Sequence, residues 1–274
     1  MTHHEAPNRP PERPLLLVSN DDGIDSFFLR ALVDALHERY ELVVVAPATE
    51  QSWIGRAVTR RGELSARRVE GWPCEAWAIT GTPSDCVQIG LHHILGPSRR
   101  PHAVVSGMNL GMNITLNLTL GSGTVAAATE GAFAGLPAIA FSLAISADDF
   151  AGVSAARGRR DERGDQITRV AARRCLELTV DLLKGPVQPY QVHNINLPPA
   201  VSLESPVRRT QLARALMPSL YEELASEGDA KRLQFKFSRT WDYSHNPKDS
   251  DLRAISEGLI SHCVLDWSRV SLDP

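Results

Sequence analysis

The chain has 274 residues, 43% of them hydrophobic and 22% charged, with a formal net charge of −3 at pH 7. That length supports one large core, or one core with a smaller appended part, and the composition is that of an ordinary soluble globular protein. The charge balance carries no electrostatic footprint for stable nucleic-acid or anionic-membrane binding, and no apolar run reaches the length of a membrane span.

The opening "MTHHEAPNRPPERP" is polar and proline-rich and lacks the apolar segment of a signal peptide, so residues 1–13 read as a flexible tail. Leu15–Val18 reads as a strand, and Ile24–Arg39 as a helix with Phe28, Leu32 and Leu36 on one face. Leu42–Ala46 is a second strand, rich in β-branched residues and closed by Pro47. Thr82-Pro83-Ser84-Asp85 has the form of a helix start: a capping hydroxyl, a proline at the first helical position and a carboxylate at the positive end. That helix is expected to run to about Leu95. Ala103–Val105 is the next strand, Thr124–Ala134 the next helix and Ala138–Leu143 a further strand. The mixed-charge stretch "SADDFAGVSAARGRRDERGD" reads as a solvated loop. Ile167–Leu183 is amphipathic, Val192–Leu197 is a strand, residues 207–241 suggest an extended hairpin excursion, and Asp251–Ser261 a last helix.

Strands alternating with helices imply an α/β fold: a Rossmann-like, mostly parallel sheet with helices on both faces. The cysteines Cys74, Cys86, Cys175 and Cys263 are far apart and share no metal-type spacing, so reduced thiols and a cytoplasmic location are expected.

In such a sheet, loops at the carboxyl ends of strands converge on the ligand crevice. Three loops here carry unusual polar groups: Ser19-Asn20-Asp21-Asp22-Gly23, residues 46–52, and Ser106 through Gly111, continuing to Gly121-Ser122-Gly123-Thr124. Adjacent side chains on a strand point to opposite faces, so Asp21 and Asp22 converge only if the chain has already turned, which Gly23 permits. A divalent cation would offset their repulsion, and hard oxygen ligands suit magnesium or manganese. The competing reading of the doublet has Asp22 capping the helix that begins near Ile24, with Asp21 exposed.

"GSGTVAAATEG" places small residues and two hydroxyls before an alanine-rich helix, a ready phosphate cradle or an ordinary capped turn; it lacks the lysine of a Walker sequence. Together the carboxylate pair, the Gly-rich loop and this helix start compose a metal-assisted phosphate site. His92-His93 reads as surface or packing. Trp241, Tyr243 and His245 could stack a base, though packing is the simpler reading.

The pieces "LLVSNDDGID", "VVVAPATEQS", "ITGTPSDCVQIGL", "AVVSGMNLGMN" and "SGTVAAATEGAFAGLPAIAFSL", in this order, resemble the SurE survival-protein nucleotidases, with weaker matches at "VHNINLPP" and "DSDLRAISEG". The resemblance covers Leu15 to about Gly258. It implies one domain over residues 14–274: a Rossmann-like core to about 200, then a protruding β-hairpin and a carboxyl-terminal oligomerisation segment, as homodimer or homotetramer. The implied activity is hydrolysis of nucleoside 5′- or 3′-monophosphates with one divalent cation, Mg²⁺ or Mn²⁺, per subunit. The implied metal ligands are Asp21, Asp22, Ser52 and Asn109, with Asp21 and Asp22 also catalytic. Asn20, Asn113, Ser122, Gly123 and Thr124 would contact phosphate. The sequence departs from the family in having Trp53 where a small glycine is usual, Gly121 where tyrosine is usual, and an apolar "MNITLNLTL" loop. Trp53 and the apolar Met112–Leu120 loop motivate a rival reading, a non-catalytic nucleotide or metal binder in a stress-related role; a phosphatase acting on a non-nucleotide phosphoester is a third.

Overall fold

The computed structural model describes residues 13–214, 219–224, 233–237 and 247–270. The tail with His3-His4 and the Trp241, Tyr243 and His245 group lie outside them. In chain order the elements are β1 (Leu15–Ser19), α1 (Phe27–Leu36), β2 (Glu41–Pro47), β3 (Ala66–Arg68), β4 (Glu75–Ile79), α2 (Pro83–Ile89), β5 (Ala103–Leu110), α3 (Thr115–Gly121) and α4 (Gly123–Phe133). Then come β6 (Ala138–Leu143), α5 (Ala147–Ala155), α6 (Glu162–Leu182), β7 (Gln191–Leu197), β8 (Val207–Thr210), β9 (Tyr221–Leu224), β10 (Gln234–Phe237), α7 (Asp251–Ser256) and β11 (Ile260–Asp266).

Nine strands form one sheet in the order β3-β4-β2-β1-β5-β6-β7-β11-β8, and β9 pairs with β10 as a separate antiparallel hairpin. The β4-β2-β1-β5-β6-β7 block is parallel throughout. β3 and β11 join β4 and β7 antiparallel. From β1 the chain builds outward to β2 and β4, then returns to β5 and builds the other way. The order therefore reverses between β1 and β5, and a crevice opens at their carboxyl ends.

Alternation along β1 sorts the core. Leu16 and Val18 pack with Phe28 and Leu32 of α1 and Cys175 and Leu176 of α6. Leu17 faces the other side, with Cys86 and Val87 of α2 and Ala127 of α4. Both faces are covered, which is why the central strands read as unbroken apolar runs.

Several expectations need revision. Helix α1 starts at Phe27, not Ile24, and its cap is Ser26, whose hydroxyl accepts from Leu29. Asp22 is thus not a cap. The mixed-charge stretch is not a loop: Ser146 caps α5 and Asp161 caps α6, while Val153 and Ala172 are buried beneath the charged faces. Charge marks only the outer face of an amphipathic helix. The helix from Pro83 ends at Ile89 and continues as a wider, π-type turn over Gly90–Ile94, with His92 and His93 exposed. Strand β5 runs on to Leu110 through the stretch read as a loop, with a register shift against β6 between Ser106 and Asn109. A Cβ at Gly107 would lie 2.3 Å from the Phe141 carbonyl oxygen, so only glycine fits there. The last helix stops at Ser256, and Ile260–Asp266 adds the strand β11, which sequence reading passed over together with β3 and β4.

Candidate active site

Beyond Ser19 the chain turns over the end of the sheet. Asn20 closes the turn, its Nδ2 donating to the Gly23 carbonyl at 3.0 Å. Gly23 has φ +92°, and a Cβ there would meet the Thr49 carbonyl carbon at 3.2 Å, so the position needs both left-handed backbone and no side chain. The amide of Ile24 donates to the Pro47 carbonyl and that of Gln51 to the Asp21 carbonyl, each at 2.8 Å, lacing the loop after β1 to the loop after β2.

The two carboxylates divide between neighbouring elements. Asp21 is buried and its Oδ1 accepts the Thr124 hydroxyl at 2.5 Å, at the start of α4. Asp22 Oδ2 accepts the Leu110 amide at 2.8 Å, at the end of β5. α4 approaches so closely that a Cβ on Gly123 would lie 2.7 Å from Asp21 Cβ. Beside Asp22 opens a cavity of about 310 Å³ whose lining includes Glu50, Asp25, Ser154 and Arg157.

Burial raises the Asp21 carboxyl above its ordinary range, against the lowering effect of the Thr124 hydroxyl and amide. Burial also pushes Asp22 well up, and the charge of Asp21 adds to it, with Glu50 contributing further repulsion. Among the described residues neither carboxylate forms an ion pair. A buried Asp21 beside a half-buried Asp22, with no ion pair to either among the described residues, fits a divalent cation, and the donors on offer are hard oxygens. No group of three His, Cys, Asp or Glu side chains arranged to hold a metal exists among the described residues. Ser52, on the loop laced to Asp21, and Asn109, beside Leu110, carry further oxygens of the kind such a cation takes.

Ser52 lies exposed on the loop laced to Asp21, its hydroxyl donating to Glu50 Oε1 at 2.6 Å. Asn109 neighbours Leu110 and turns its Nδ2 to the Gly111 carbonyl at 3.0 Å, so that Oδ1 is the atom it has to offer a cation. Ser122 caps α4, accepting the Val125 amide at 3.1 Å, and keeps its own hydrogen to donate. Thr124 is committed to Asp21. The Gly123 amide, first in the helix, has no intrahelical acceptor. Asn113 is engaged in a separate buried network. Its Nδ2 donates to Ser142 Oγ at 2.9 Å, and its carbonyl accepts from Asn194 at 2.8 Å and Asn196 at 3.2 Å.

Sequence reasoning missed the parts that hold this arrangement. The Leu110 amide is invisible as a motif because any residue supplies it. Glu130, buried on α4, pairs with Arg56 at 2.8 Å and accepts from Gln88 at 2.7 Å, pinning the loop beyond Ser52 onto the helix. A lone acid inside "AAATEGAF" was the available signal for it.

The sequence model of the family described as Survival protein SurE matches residues 16–219. The chain belongs to the SurE family. The 5′-nucleotidase SurE of Geotalea uraniireducens is 34% identical to it over 249 residues, 90% of each chain. That of Methanocella arvoryzae is 34% identical over 203 residues, 73% of each. Among solved structures, the SurE protein from Aquifex aeolicus matches with a TM-score of 0.70 at 27% identity, covering 92% of this chain and 93% of that one. The SurE match begins inside β1 and so spans the whole Asp21–Thr124 constellation, while β9, β10, α7 and β11 lie beyond it.

Proposed function

We propose that this SurE-family chain is a divalent-cation-dependent phosphomonoesterase that converts nucleoside 5′- or 3′-monophosphates to nucleoside and inorganic phosphate. The observation that carries the reading is the contact of Asp21 with Thr124, which sets the buried Asp21 carboxylate, with half-buried Asp22 beside it, against the amino-terminal end of α4. The names of the relatives, 5′-nucleotidase SurE, support the substrate class.

In this reading Asp21, Asp22, Ser52 and Asn109 hold one cation per subunit, Mg²⁺ or Mn²⁺. Such a cation supplies positive charge to the phosphoryl oxygens and makes water a stronger acid. The chain's own residues do the rest. The Gly123 amide and the Ser122 hydroxyl donate to phosphate oxygens at the positive end of α4. Asn20 holds the turn that keeps both carboxylates over the crevice. Asn113, in its separate buried network, and Asn20 are the further candidates for contact with phosphate. Asp21 orients the attacking water and accepts its proton at a carboxylate oxygen; phosphorus is attacked in line with the ribose oxygen, whose P–O bond breaks as that oxygen takes up a proton, from Asp21 or solvent, and leaves as the nucleoside hydroxyl.

We further propose a cytoplasmic homodimer or homotetramer that assembles through the carboxyl-terminal segment. An apolar groove of about 310 Å³ between α3 and β11, lined by Leu116, Leu120, Leu212, Leu265 and Val270, supports that surface. Among the described residues no helix is long and apolar enough to cross a membrane.

Release of inorganic phosphate from a panel of nucleoside monophosphates and non-nucleotide phosphoesters, with Mg²⁺, Mn²⁺ or a chelator, tests the activity. Cation-dependent release from nucleotides is expected. Tight binding without release would make the protein a binder, and release confined to non-nucleotides would reassign the substrate. Full turnover by Asp21→Asn with cation binding retained would remove the base role of Asp21.

A further inference from the structure

Trp53 stands directly after Ser52 and adopts φ +62°, a left-handed backbone that a bulky residue rarely takes. Strain of this kind persists where the surroundings hold it, and it marks places where a side chain is needed in one position. The indole lies over Gly121: a Cβ at Gly121 would touch its Cε3 at 3.4 Å and Cζ3 at 3.7 Å. Gly121 immediately precedes the Ser122 cap of α4, and the Gly55 amide donates to its carbonyl at 3.0 Å. The ring thus sits between the loop of Ser52 and the helix start, on the rim of the phosphate site. A Cβ at position 121 would reach ordinary contact with the ring, which places the indole directly against the chain entering α4.

The hairpin reaches the same rim. Phe237 of β10 meets Trp53 edge-on, with ring centroids 5.4 Å apart and planes at 67°. Tyr221, its partner across the hairpin, lies 6.1 Å from Phe237 at 81°. These rings are packed on one another and each remains partly exposed: Trp53 is 44% exposed, Phe237 41% and Tyr221 57%. Such a cluster would be covered in an ordinary core, and here it adjoins a site for a small polar anion.

We propose that Trp53, supported by Phe237, forms a stacking platform for the aromatic base of a nucleotide whose phosphate lies at the start of α4. The inference rests on the phosphomonoesterase reading and adds to it the residues that select a base-bearing nucleotide over a plain sugar phosphate. Every base presents a π face, so the platform favours nucleotides as a class without choosing among bases.

The experiment compares kcat/KM for AMP with kcat/KM for ribose 5-phosphate in the full chain and in Trp53→Gly, Trp53→Phe and Phe237→Ala. Glycine accepts the positive φ, so Trp53→Gly removes the ring without opposing the backbone. The AMP preference over ribose 5-phosphate is expected to fall about 5- to 100-fold in Trp53→Gly, the range for loss of one base–aromatic stack, and to be largely restored in Trp53→Phe. Phe237→Ala is expected to lower it less. Equilibrium binding of adenosine without cation is expected to weaken in parallel, which reads the platform apart from turnover. An unchanged preference and unchanged adenosine binding in Trp53→Gly would overturn the proposal. So would loss of preference in Arg157→Ala alone, which would seat the base in the cavity beside Asp22. If no phosphoester is hydrolysed while adenosine binding still depends on Trp53, the catalytic reading fails and the platform stands.

Discussion

Thr124 donates its hydroxyl to Asp21 at 2.5 Å from 103 positions further along the chain. This bond fixes where α4 begins relative to the carboxylate pair. Thr124→Val keeps the shape and removes the donor. Loss of a hydrogen bond to a charged group is worth about 1.5–3 kcal/mol, so phosphate release should fall about 10- to 100-fold if the bond orients Asp21 for the reaction. Steady-state kinetics with a melting curve separates this from unfolding. Unaltered kcat/KM would show that the bond serves stability alone.

Gly123→Ala reverses the usual sign for a helix. Alanine normally stabilises a helical position relative to glycine by about 0.5–1 kcal/mol. Here the new Cβ would lie 2.7 Å from Asp21 Cβ and 3.0 Å from a Pro83 side-chain carbon. Overpacking of this kind costs about 1–3 kcal/mol, so the variant should melt lower and lose activity. A melting temperature equal to or above that of the parent would show that α4 can retreat.

Asp21 and Asp22 repel in a buried place without an ion pair among the described residues, so a bound cation should stabilise the fold by mass action. At a cation concentration about 100 times Kd the gain is about 2.7 kcal/mol. Thermal denaturation in chelator, Mg²⁺ and Mn²⁺ should show a cation-dependent rise in Tm for the parent chain. Asp22→Asn should melt at or above the parent in chelator and lose most of the cation response. A parent Tm indifferent to both cations would argue against the ligand set.

His262 is buried between Arg209 and His193, whose ring nitrogen lies 3.0 Å from its own. Burial, with the charge of Arg209 next, holds the His262 imidazole down to about 3, and burial lowers His193 as well. The unfolded chain takes up these protons near pH 6.5 while the folded chain refuses them. Stability is therefore fully present above about pH 6.5 and lost as pH falls towards 3, with a slope approaching about 1.4 kcal/mol per pH unit for one such histidine. Unfolding in denaturant across pH 7 to 4 checks it. His262→Gln should flatten the dependence, and a curve parallel to the parent's would show that carboxylates elsewhere dominate.

What could be read from residues alone was local. The apolar runs of β1, β2, β5 and β6 were legible because strands buried on both faces need no polar alternation. The start of α2 was legible because Thr82, Pro83 and Asp85 each do one thing, and the capping box is observed. β4 escaped because "EAWAI" is short and follows a stretch with Gly71 and Pro73, and β11 because the expected last helix runs to Ser261 with nothing assigned beyond it. The α5 region misled because its charges describe only one face.

Composition and motif order determined the fold class, the family resemblance and the identity of the acids, because these depend on residue type and spacing. The purpose of the doublet was not decided there. With Asp22 and Ser26 both able to cap a nearby helix, one chain segment cannot say which does. Tertiary structure decided it by giving Ser26 the cap, Asp21 the Thr124 hydroxyl and Asp22 the Leu110 amide. The sheet reversal between β1 and β5 brings those partners together, and that is a property of strand order rather than of any stretch of sequence.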